Sequence, residues 1–187
     1  MKTLAIVTCV LLGMPIQTLA QAKDGRLALK SIAVSGGGPL GNAVLTPFDI
    51  VIERWSSAED EMKLFEAIKE KGQEAALEVL RSFRRVGFAN TPGNLGLEFF
   101  YAAESRMPDG QRKILVLTDR PIGFREAVNR PRTIKYPFTL IDLQLNAKNE
   151  GKGKLYETAQ LVWLGKKGGL MVENYTTSID LTQVKPR

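Results

Sequence analysis

The chain has 187 residues, 26 Lys and Arg against 20 Asp and Glu, a formal charge of +6, no histidine and one cysteine. That length suits one domain with a substantial core, and the charge is too modest for a nucleic-acid surface, which would also show a motif or stacking aromatics. Without histidine there is no serine-histidine-acid triad and no histidine base; with Cys9 confined to the leader, thiol catalysis, disulfides and Cys/His zinc sites are excluded as well.

Lys2 precedes an apolar run over residues 4–14, and Ala20-Gln21-Ala22 places small residues where a signal peptidase reads them. Residues 1–22 therefore read as a signal peptide cleaved after Ala22 or Ala20. The run is short for a membrane span, Pro15 and Gln17 interrupt its end, and Cys9 lacks the approach of a lipoprotein cleavage site. The expected product is periplasmic or secreted, has no transmembrane anchor, and carries +5 once Lys2 is lost. Residues 23–187 are expected to form a single β-rich domain stabilised by its core alone.

A first strand is predicted over 26–34, where the alternation of Leu27, Leu29, Ile32 and Val34 slips once, as a bulge would make it. Gly36-Gly37-Gly38 follows; it lacks the lysine and hydroxyl of a phosphate loop and reads as a wide turn. The second strand, 44–55, puts Phe48, Ile50 and Ile52 on one face, with Pro47 marking an edge or bulge. The period then changes. Ser56 with Glu59, or Ser57 with Asp60, offers a capping box for a helix carrying Met62, Phe65 and Ile68 on one stripe. Gly72 breaks it, and a second helix over 73–83 carries Ala76, Leu77, Leu80 and Phe83, so a two-helix segment is predicted over about 57–83.

From Gly96 to Val184, short apolar-polar segments alternate with turn signals such as Pro108-Asp109-Gly110 and Asn149-Glu150-Gly151, the pattern of an antiparallel meander. Strands are predicted over 86–89, 95–104, 113–119, 138–145, 155–164, 170–175 and 179–184. In 95–104, Leu97, Phe99 and Tyr101 are expected on one face. The whole is expected to be mainly β, a meander curved into a barrel or half-barrel with the helices inserted after its second strand.

Three kinds of site are considered. The irregular stretch 120–137 holds Arg120, Arg125, Arg130 and Arg132 on a proline-stiffened connection, where paired guanidinium bonds suit a carboxylate, phosphate or sulfate and Phe124 and Tyr136 would flank it. The alternative is a solvated connection. The interior of the curved sheet, lined by Leu97, Phe99, Val116, Phe138, Leu140, Val162 and Met171, would be either a packed core or an apolar ligand cavity. The strand acids Glu98, Asp119 and Asp142 would serve a carboxylate hydrolase only if two met in a cleft, one with a raised pKa; otherwise they pair with basic residues. No cofactor motif is present, and the turn acids near Asp109 and Asn149 lack the ligand spacing of a calcium loop.

The segments Ile52-Glu53-Arg54-Trp55-Ser56, Asn90-Thr91-Pro92-Gly93-Asn94-Leu95-Gly96, Thr118-Asp119-Arg120-Pro121-Ile122, Arg130-Pro131-Arg132 and Tyr136-Pro137-Phe138 together resemble a family of uncharacterised exported bacterial proteins. The resemblance implies a shared single-domain fold and carries no activity. The leading expectation is an exported domain binding a small apolar or amphipathic ligand, whose anionic group, where it has one, would lie near Arg120, Arg125 or Arg132. Its first rival is a structural or protein-interaction module of the cell envelope, for which an open edge strand or flat apolar patch would speak. Whether the chain is an enzyme is left open, with a carboxylate hydrolase as the remaining catalytic reading.

Overall fold

A computed structural model of the chain describes residues 25–35, 43–92, 96–119, 135–163, 170–174 and 178–187, with backbone alone for 163 and 170–174. Among the described residues ten strands and one helix follow one another in the order β1 (Leu27–Ser35), β2 (Val44–Ile52), α1 (Ala58–Ser82), β3 (Gly87–Asn90), β4 (Leu97–Phe99), β5 (Tyr101–Arg106), β6 (Arg112–Asp119), β7 (Phe138–Leu145), β8 (Gly151–Trp163), β9 (Leu170–Asn174) and β10 (Ile179–Pro186). All pairings are antiparallel. The ladder runs β4-β3-β2-β1-β10-β8-β7-β6-β5, and β9 pairs with β8.

That order has two ends, so the expected closure into a barrel or half-barrel is corrected to an open ladder. The reason lies at Phe100. A single strand over 95–104 could have carried the ladder across, but the chain bends there and changes partner: Val86 N–H donates to the Phe99 carbonyl, and Phe100 N–H to that of Leu117. Alternation breaks with it. Phe99 and Tyr101, expected on one face, belong to different clusters.

One cluster joins Leu29, Ile50, Phe99, Val116, Leu143 and Leu181 with neighbours from every strand of the ladder, and α1 contributes nothing to it. Strands bury this face against one another. The second cluster lies under α1, where Leu64, Ala76, Leu77 and Leu80 meet Tyr101, Leu117, Phe138, Leu140 and Leu161. Each fully buried Leu, Ile or Phe contributes roughly 1.5–3 kcal/mol. Alternation in β7 shows why one strand serves both: Ile141, Leu143 and Leu145 point to the first cluster, Phe138 and Leu140 to the second.

The expected helical pair is one helix. Ser57 caps it, accepting from Asp60 N–H while the Asp60 carboxylate accepts from Ser57 N–H, each at 3.1 Å. Gly72 is a kink inside α1 rather than a boundary, at φ 82° and ψ −165°, a conformation open to glycine and strained for other residues. The slip foreseen in the first strand is a register shift against β10 between Lys30 and Ile32. Among the described residues no helix is long and apolar enough to cross a membrane.

Candidate functional site

Of the residues proposed from sequence, Arg120, Phe124, Arg125, Arg130 and Arg132 lie outside the described residues. The ends of their connection are defined. Asp119 pairs across the ladder with Phe138, so the chain leaves and re-enters the sheet at one place. There Arg81 of α1 donates to Asp119 at 3.2 Å and also holds Glu78, while Tyr136 is half-buried. Phe99 and Phe138 have no exposed surface and sit in opposite clusters, so they do not line one common interior. Of the other expected lining residues, Leu97 and Val116 join Phe99, whereas Leu140 lies under α1 with Phe138.

The strand acids are held separately. Glu98 pairs with Arg85, Asp119 with Arg81 and Asp142 with Lys113. Arg85 also meets Glu53 and stands 5.7 Å over the Phe88 ring. Exposed pairs of this kind contribute at most about 1 kcal/mol each. Among the described residues the carboxyl with a raised pKa is Glu61, pushed up by burial in α1. Burial also pushes the Tyr101 phenol well above its ordinary range, and the negative charges of Glu61 and Asp60 add to this. Asp60 is committed to the helix cap. Among the described residues no three acids gather as a metal site.

A cluster that the sequence reading missed is better built. Arg112 grips Glu104 with two bonds, Nε to Oε1 at 2.7 Å and Nη2 to Oε2 at 2.8 Å, and its Nη1 donates to Asn149 Oδ1. Both charged side chains are only 15% exposed. This pair ties the turn after β5 to the turn after β7. Its signal was present: opposite charges flank one hairpin turn, on the strand face shared by Ala102 and Ile114.

The remaining feature is an edge. β2 pairs with β1 along its whole length, but with β3 only from Asp49 to Ile52. Which groups face the open side follows from the neighbours. Ala28 and Ile32 turn their carbonyls towards β10, accepting from Arg187 N–H and the Thr182 hydroxyl. The odd residues of β1 therefore face β2, and the carbonyls of Val44 and Phe48 turn to Ser35 and Ser31. The even residues of β2 are thus occupied by β1, and among the described residues the open side is left with Leu45 N–H, Leu45 C=O and Pro47 C=O. Proline supplies no donor. Beside this edge Val44 is 59% and Leu45 64% exposed. Leu45 lies opposite half-buried Val34, and Pro47 opposite half-buried Ile32.

Comparison of the chain with protein-family models, curated proteins and solved structures finds no match.

Proposed function

We propose that the protein is an exported interaction module of the cell envelope, which receives an extended segment of a partner protein against the open side of β2. The observation that carries this reading is the exposure of Val44 and Leu45 beside a strand whose other neighbour is missing from 44 to 48 among the described residues. Large apolar side chains at an unpaired edge are what native sheets ordinarily avoid, usually with charge. Residues 44–48 carry none. An incoming backbone would exchange bonds with Leu45 and give one more donor to the Pro47 carbonyl, while apolar side chains packed on Leu45, Val34 and Ile32 would supply the rest. Small-molecule binding would fall to the arginine-rich connection, because Phe99 and Phe138 offer no surface to a ligand.

The test is a photoreactive residue at position 45 in the exported protein, in its native envelope. A discrete protein adduct is expected, lost when Val44 is also changed to Lys. An adduct from position 62 on α1, with none from position 45, would contradict the proposal.

A further inference from the structure

Among the described residues one buried side-chain oxygen has no hydrogen-bond partner, Oδ1 of Asp142 on β7. Its companion Oδ2 is held by the Lys113 ammonium at 3.2 Å, and the Asp142 side chain is 20% exposed. A carboxylate oxygen taken out of water and given no donor is costly, so native structures seldom leave one in that condition. The strands beside it carry a donor within reach.

Asp142 stands directly opposite Lys154 of β8, and Lys154 stands directly opposite Asp180 of β10. All three share the sheet face that bears Leu140 and Tyr156, because Ile141, Leu143, Leu155 and Leu181 alternate onto the other face. Lys154 therefore has an acid on each side, with Cβ atoms about 5 Å away in both directions. Its ammonium lies 2.9 Å from Asp180 Oδ1 and 3.3 Å from the Ser178 hydroxyl. A flexible stem and rotatable donors let the same ammonium be laid on either acid.

The two placements differ in what they leave behind. Asp180 is 59% exposed, so water solvates it when Lys154 departs, and an exposed pair of this kind holds weakly. Asp142 Oδ1 is buried, so a donor laid on it relieves a desolvation cost that the exposed acid does not carry.

We infer that Lys154 is a two-position switch: it rests on Asp180 and Ser178, and crosses to the buried Oδ1 of Asp142 when Asp180 is removed or engaged by another cation. The acid on β10 can then be surrendered without leaving the ammonium unpaired. This does not rest on the reading of β2.

The test uses the full chain with Asp180→Ala, which removes the acceptor at an exposed position. NMR correlation across the hydrogen bond from Lys154 Nζ should reach the Asp180 carboxyl in wild type and the Asp142 carboxyl in the variant. A double-mutant cycle of Lys154→Met with Asp142→Asn, read as the unfolding equilibrium constant in urea, should show coupling under about twofold in wild type and at least about fivefold in the Asp180→Ala background. If Asp142→Asn does not fold, the NMR measurement decides alone. A Lys154 ammonium without a carboxyl partner in Asp180→Ala, or coupling to Asp142 that is equal in the two backgrounds, would overturn the switch. A correlation to Asp142 already dominant in wild type would overturn the resting position.

Discussion

Among the described residues β2 and β8 each lose a neighbour part-way along, and the chain deals with them differently. At β8 the exposed rung is filled: Gln73 bonds both backbone groups of Leu161. At β2 the rung is thinned, because Pro47 removes a donor from the open side while Leu45 keeps both of its groups. A filled edge belongs to the stability of the fold. A thinned one remains available for a short contact, with Val44 and Leu45 exposed beside it.

The largest effect should come from breaking the filled edge. Gln73→Met strands a buried N–H and a buried C=O and is expected to cost about 2–4 kcal/mol in urea denaturation. A loss under about 0.5 kcal/mol would mean that the contact is incidental. Next comes a control that separates stability from edge exposure. Arg112→Met leaves Glu104 half-buried without its bidentate partner and should cost about 2–3 kcal/mol, with association unchanged.

Pro47→Val works in the opposite direction, restoring a donor to the thinned edge. Stability should change by no more than about 1 kcal/mol, while self-association or partner capture rises. Unchanged association would show that the missing donor is irrelevant there.

The smallest effect lies on α1, away from both edges. Burial raises the Glu61 carboxyl above 4.5, so the folded chain holds that proton more tightly than the unfolded chain. Its stabilising contribution is full below 4.5 and is lost as pH rises through the folded value. Glu61→Gln should therefore gain stability relative to wild type at pH 7 and not at pH 3, read as a difference in Tm, with association unchanged.

The sequence made the strands legible because their alternation is strong: β7 coincides with its predicted span, and the capping box falls where local chemistry put it, whereas the glycine expected to separate two helices is a kink inside one. Topology was hidden. Leu97, Phe99 and Tyr101 have the alternation of one strand, and nothing local announces that Phe100 will change partner, since that depends on Val86 and Leu117 arriving from elsewhere. The same holds for Gln73, whose partner is 88 positions away. Pro47 was read as marking an edge or bulge because its effect is local, but which side of β2 it faces needed the bonds of Ala28 and Ile32. The arginine-rich stretch was the most conspicuous signal of binding, and it lies outside the described residues.

The most direct test of the two-edge account is amide hydrogen exchange, residue by residue, on the wild-type chain. Leu161, held by Gln73, and Thr46 and Phe48, turned to β1, should exchange at least about a hundredfold more slowly than Leu45, whose N–H faces the open side of β2. Leu161 exchanging as fast as Leu45, or Leu45 as slow as Phe48, would contradict it.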